Sequence, residues 1–145
     1  AGKDLGAYKM TDVKELNPGI SWDELTDVST LLPVKQERSQ CIVVASRSHL
    51  TPETEEYING LREVHRDVEL VSSGSSLKIC LIAEGKADVY PRFAPTMEWD
   101  TAAGHAIAKA AGAEIYQAEN SLPLQYNKED LLNPWFIVEP RRKTI

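Results

Sequence analysis

The chain predicts an α/β fold, a layered sheet flanked by helices. Three observations point there. Short β-branched runs such as Cys41-Ile42-Val43-Val44-Ala45 alternate with helix-period segments from residue 41 onward; each helix carries its own start or stop signal; and 145 residues with 42% hydrophobic content suffice for one core. Sixteen basic against 22 acidic residues leave a net charge of −6, which argues against a nucleic-acid coat, so any phosphate must be held locally. No apolar run approaches the ~20 residues of a membrane span, and the polar, lysine-bearing start lacks the apolar stretch of a signal peptide. The expected compartment is the cytoplasm, with nothing against peripheral attachment to a membrane. Cys41 and Cys80 lie in separate apolar runs without a Cys-x-x-Cys pattern, so free thiols are expected rather than a disulfide or zinc site.

Residues 1–39 read differently from the rest. Gly6-Ala7-Tyr8-Lys9-Met10 predicts a short strand and Asn17-Pro18-Gly19 a turn, but the segment lacks periodicity and a core of its own. Trp22, Leu31 and Leu32 need cover that their neighbours do not supply, so this part is expected to form an edge lying against something else, with self-association of the chain as one consequence.

Residues 40–145 carry the pattern. The run from Cys41 to Ala45 predicts a strand covered on both faces. Thr51-Pro52-Glu53 supplies a cap, a first-turn proline and an acid, and Tyr57, Ile58, Leu61 and Val64 recur at helical spacing, predicting an amphipathic helix with those four in the core. Val68 to Val71 returns as a strand. Leu77, Ile79, Cys80, Leu81 and Ile82 predict a helix apolar nearly all round and deeply buried, closed by Gly85. Ala87 to Tyr90 is expected as a strand stopped by Pro91, the Asp100 helix ends at Gly112, and Ala113 to Tyr116 and Phe136 to Val138 provide the last strands. In such sheets ligands sit at the loops beyond the carboxyl ends of strands.

Those loops bear the polar candidates. Ser73-Gly74-Ser75-Ser76 offers hydroxyls and backbone N–H groups at a helix start, and Lys78 follows as the only charge on an apolar helix. This reads equally as an anion pocket or as a capped turn whose lysine reaches to water. Arg92, between Pro91 and Phe93, is either held for a phosphate or solvated. His49 can stack on a base, donate to a phosphate or lie exposed. Asp100 stands at the mouth of a helix of small residues, where it caps the backbone or faces a cation. His65 and His105 receive no role.

The combination resembles a known family. Trp99-Asp100-Thr101-Ala102-Ala103-Gly104 resembles the second signature of the inositol monophosphatase superfamily, lithium-sensitive metal-dependent phosphatases. Val43-Val44-Ala45-Ser46-Arg47-Ser48-His49, Gly74-Ser75-Ser76-Leu77-Lys78-Ile79-Cys80-Leu81-Ile82-Ala83-Glu84-Gly85 and Tyr90-Pro91-Arg92-Phe93 resemble its 3′(2′),5′-bisphosphate nucleotidase branch, the CysQ type. The resemblance runs from about Cys41 to Val138. It implies the C-terminal half of an αβαβα sandwich, with Asp100 as a magnesium ligand, Ser75, Lys78 and Arg92 on the phosphate and ribose of adenosine 3′,5′-bisphosphate or its product AMP, and His49 beside the nucleoside. The family's other metal carboxylates, a glutamate pair and an Asp-Pro-Ile/Leu-Asp-Gly-Thr motif, have no match in residues 1–40. The chain is therefore expected to be the C-terminal part of such an enzyme, partnered by an N-terminal half and inactive alone. Residues 1–39 are expected to be the hairpin between the halves, and residues 40–145 the substrate-side domain. Two alternatives are an inositol or sugar-phosphate phosphatase of the same superfamily and a non-catalytic nucleotide-binding module.

Overall fold

The computed structural model describes residues 1–2, 4–15, 17–46 and 50–141. Its elements follow the order β1 (Ala7–Lys9), α1 (Trp22–Asp27), β2 (Thr30–Leu32), β3 (Cys41–Ala45), α2 (Pro52–Val64), β4 (Val68–Ser72), α3 (Leu77–Ala83), β5 (Tyr90–Arg92), α4 (Glu98–Ala110), β6 (Ala113–Gln117) and β7 (Phe136–Pro140). This is an α/β fold, and the order from residue 41 is the predicted one. Among the described residues, no helix is long and apolar enough to cross a membrane.

Strands β3 and β4 pair in parallel, while β7 lies between β5 and β6 and is antiparallel to both. A parallel bridge between Val43 and Val89 joins the two groups just ahead of β5, sealed by the Val44 N–H donating to the Val89 carbonyl at 2.8 Å. Side chains then sort by the two-residue period of a strand. Val44, Tyr90, Ile115, Phe136 and Val138 turn to one face, where they bury Ile79 and Ile82 of α3 and Ala108 of α4. Val43, Val89 and Ile137 turn to the other, beneath Ile58, Tyr57 and Leu61 of α2. Helices thus cover both faces, as the unbroken apolar run of β3 requires.

Local chemistry explains the boundaries. Thr51 caps α2 by accepting the Thr54 N–H, with Pro52 in the first turn. Gly85 and Gly112, at φ +76° and +81°, end α3 and α4 in the left-handed conformation that glycine adopts without strain. Gly104 serves packing instead: a Cβ there would stand 2.9 Å from Ile79 Cδ1, so its absence lets α4 lie directly on α3.

Several expectations are corrected. Strand β5 does not stop at Pro91 but contains it, with Pro91 opposite Ile137, and Ala87 to Val89 contributes only the bridge to β3. Proline is tolerated because β5 is three residues long and the outer strand of its antiparallel trio, where a missing N–H is cheapest. Arg92 accordingly ends a strand rather than sitting in a loop. Val64 is 78% exposed, being the last residue of α2 and past the sheet it was expected to cover. Helix α3 is not buried all round: Leu77 is 60% exposed and Cys80 and Leu81 are half-buried, whereas Lys78 is inside. Both cysteines are free thiols.

The first segment holds more structure than expected. Ser21 and Glu24 form a reciprocal cap that starts α1. Strands β1 and β2 pair antiparallel, and Ala7 and Leu32 pack on Ala83 and Ala111 at the C-terminal ends of α3 and α4. Lys9 reaches Glu84 at 2.7 Å. Trp22 and Leu31 remain largely exposed.

Candidate functional site

The loop from β4 into α3, the last residue of β5 and the first turn of α4 meet around a cavity of about 460 Å³. Ser75, Lys78, Arg92 and Asp100 all line it, together with Tyr90, Trp99 and Thr101. Four of the five residues singled out in the sequence therefore share one site. The fifth, His49, lies outside the described residues.

Lys78 is 4% exposed, and its ammonium is placed rather than free. Nζ donates to the carbonyls of Ser73 at 3.1 Å and Ser75 at 3.0 Å, and stands 5.3 Å from the centroid of the Tyr90 ring. The lysine does not reach out to water, as the capped-turn reading had it, but pins the serine turn that borders the cavity. Ser75 takes φ 53°, a left-handed conformation costly for a non-glycine residue, and the lysine bond to its carbonyl helps hold it there. Burial, and then the charge of Arg92, push the Lys78 ammonium below its ordinary value.

Arg92 donates from Nη2 to the Pro95 carbonyl at 3.2 Å, while its buried Nε has no acceptor among the described residues. Tyr90 packs its ring edge-on against Phe136, with centroids 5.9 Å apart. Its phenol is pushed up to about 12, chiefly by burial and secondarily by Asp100, against the opposing effect of Arg92.

Asp100 is the third residue of α4. Its Oδ2 accepts the backbone N–H of Met97, the capping residue, at 2.8 Å. The capping reading is thus correct, and it leaves Oδ1 for the cavity that Asp100 also lines. The turn carrying Asp100 is clasped from behind. The Asn133 amide donates to the Met97 carbonyl at 2.9 Å and to Thr101 Oγ1 at 3.1 Å; the Glu98 carboxylate accepts the N–H groups of Asn127 and Lys128 as well as the Lys128 ammonium. Deeper in, His105 bridges Tyr126 Oη at 2.8 Å and Glu114 Oε1 at 2.6 Å.

The lining therefore opposes two cations with one carboxylate in a chain whose net charge is −6. A wall of this kind takes an anion. Magnesium makes a stricter demand, since it needs about six oxygens in octahedral array. Asp100 Oδ1 suits one of those positions, yet no three His, Cys, Asp or Glu side chains converge among the described residues. The donors among the described residues do not by themselves make a magnesium site.

Comparison with known proteins decides the lineage. The model of the inositol monophosphatase family matches residues 15–144. The chain belongs to that family. Among its relatives, the 3′(2′),5′-bisphosphate nucleotidase CysQ of Shigella flexneri is 48% identical over 121 residues, 83% of this chain and 47% of the relative. CysQ of Escherichia coli (strain K12) is 47% identical over the same shares. The crystal structure of CysQ from Bacteroides thetaiotaomicron, a bacterial member of the inositol monophosphatase family, superposes with a TM-score of 0.92 at 62% identity, covering 99% of this chain and 53% of that one. The chain spans about half the length of the curated relatives it matches.

Sequence reasoning missed Tyr90, Thr101 and Asn133. Tyr90 lies inside the Tyr-Pro-Arg-Phe run, and reading β5 through Pro91 would have put it on the same sheet face as Val44. Asn133 gives no comparable signal, because it acts from an irregular loop through a contact 32 residues away in sequence.

Proposed function

We propose that this chain is the substrate-side half of a magnesium-dependent 3′(2′),5′-bisphosphate nucleotidase, which converts adenosine 3′,5′-bisphosphate to AMP and phosphate. One observation supports this above the others: Lys78 and Arg92 converge with Ser75 and Asp100 on one cavity. A substrate with two phosphates needs one anchored while the other reacts, and cations beside a single acid fit that division of labour better than they fit a neutral polyol. In this reading Ser75, Lys78 and Arg92 hold the retained phosphate and the ribose, and His49 lies beside the nucleoside. Asp100 Oδ1 would help to hold magnesium, which would supply a water of lowered pKa and stabilise the leaving oxygen. The remaining carboxylates come from an N-terminal half, to which residues 1–39 form the connecting hairpin, while residues 40–145 are the substrate-side domain. By itself the chain is inactive, because one carboxylate does not repay the dehydration of magnesium.

A chimera tests the reading. This chain replaces the matching half of the Bacteroides thetaiotaomicron CysQ, and phosphate release is followed with adenosine 3′,5′-bisphosphate and with inositol phosphate. Magnesium-dependent release from the nucleotide, with none from the isolated chain, is expected. Release from inositol phosphate alone would move the chain to a polyol phosphatase, and silence from a folded chimera would leave a nucleotide-binding module without catalysis.

A further inference from the structure

Tyr90 lines the cavity, and the nucleotidase reading gives its hydroxyl no task. The residue is 6% exposed. Burial and the charges of Asp100 and Arg92 act on its phenol, with no hydrogen bond among the influences. Tyr90 lines the cavity and its hydroxyl has no hydrogen-bond partner among the described residues, so a guest in the cavity can accept it. The ring is not free to swing the hydroxyl elsewhere: the Lys78 ammonium lies over its face, and its other contact is edge-on to Phe136. A second donor nearby is Arg92 Nε, which is buried without an acceptor among the described residues. Unsatisfied N–H and O–H groups flanking a lysine call for one kind of guest, an acceptor with several oxygens and negative charge.

We infer that Tyr90 is a further phosphate-binding residue, donating its hydroxyl to the phosphate held by Lys78 and Arg92; the inference rests on the nucleotidase reading and names a ligand contact within it. Two features suit the phenol to this task. It stays protonated through the neutral range, so it donates at every pH at which a phosphate monoester is dianionic. Its ring also fixes the ammonium, so one side chain sets both the charge and the direction of the hydrogen bond.

The test uses the 145-residue chain and two probes, adenosine 3′,5′-bisphosphate and adenosine, titrated by calorimetry into the parent and Tyr90→Phe. Phenylalanine keeps the ring under Lys78 and removes only the hydroxyl. Loss of one hydrogen bond to a charged group is expected to weaken the bisphosphate about tenfold and leave adenosine unchanged. A reading independent of the variant comes from tyrosine labelled with carbon-13 at Cζ. One of the five tyrosine resonances of the parent, the one absent from Tyr90→Phe, is expected to shift with the bisphosphate and not with adenosine. Equal bisphosphate affinity in parent and variant, or a Tyr90 resonance that stays in place, overturns the inference and leaves the nucleotidase reading standing. A parent that takes up no bisphosphate overturns that reading, and this inference with it.

Discussion

Asp100 Oδ2 accepts the Met97 backbone N–H at 2.8 Å, so the carboxylate that resembles a metal ligand is also the brace of its own helix. The two duties use different oxygens, and substitution separates them.

Asparagine at position 100 retains an acceptor for Met97 but carries no charge for a cation. Asp100→Asn is expected to melt within a few tenths of a kcal/mol of the parent, whereas Asp100→Ala loses ~1 kcal/mol. In the chimera both variants are expected to lose magnesium-dependent phosphate release by at least ~100-fold. Thermal melts read the first duty and the assay reads the second. An active Asp100→Asn chimera would remove Asp100 from the metal site.

The α3–α4 crossing depends on Gly104. Alanine there would bring a Cβ to 2.9 Å from Ile79 Cδ1, and to 3.3 Å from Ile79 Cβ and Cγ2. Gly104→Ala is expected to destabilise by ~1–3 kcal/mol despite alanine's better helix propensity. Ile79→Val removes the nearest atom, so the double variant should be more stable than the sum of the single losses by ~0.5 kcal/mol or more in denaturant melts.

Asn133 holds the turn on which Asp100 sits. Asn133→Ala removes two hydrogen bonds, to the Met97 carbonyl and the Thr101 hydroxyl, leaving the first with the Asp100 N–H and the second with the Tyr126 hydroxyl. The expected cost is ~1–3 kcal/mol in urea unfolding. In the chimera the same variant is expected to raise the magnesium concentration needed for half-maximal release, because the Asp100 turn loses its clasp. A loss of stability with an unchanged magnesium requirement would confine Asn133 to packing.

Acid should unfold the chain by way of identifiable carboxylates. Burial raises the Glu114 carboxyl, but hydrogen bonds from Arg141 and His105, with the charge of His105, outweigh it and hold the group below its ordinary value. Glu84 is likewise raised by burial and lowered further by Lys9 and Lys86. A carboxyl held lower in the folded chain than in the unfolded one binds fewer protons there. Its stabilisation is complete above the unfolded value near 4.5 and drains away as pH falls through the folded value. Melting temperature is therefore expected to fall steeply below about pH 4.5. Glu114→Gln should lower it at neutral pH and flatten the acid limb.

Much of the fold was legible because its signals are local. The unbroken Cys41–Ala45 run, the Thr51-Pro52 start and the glycines at 85 and 112 each act within a few residues, and the strand and helix ends they mark stand where the pattern placed them. The errors share a cause of the opposite kind. One of the two readings of Lys78 had it reach to water from an apolar helix, and Leu77 looked like core. The reverse holds because two carbonyls and an aromatic face wait for the ammonium inside, and none of them is visible in helical periodicity. Pro91 looked like a stop, yet pairing with Ile137 across more than forty residues carries the strand through it.

The order of strands and helices, the caps and turns that bound them, and membership of the inositol monophosphatase family were all written in the chain, since each depends on neighbours within a turn or on a contiguous motif. That Ser75, Lys78, Tyr90, Arg92 and Asp100 face one cavity, and that Asn133 and Glu98 steady it from behind, was decided only in three dimensions. Strand order and the lay of α4 on α3 bring those residues together, and these depend on contacts between segments far apart in the chain.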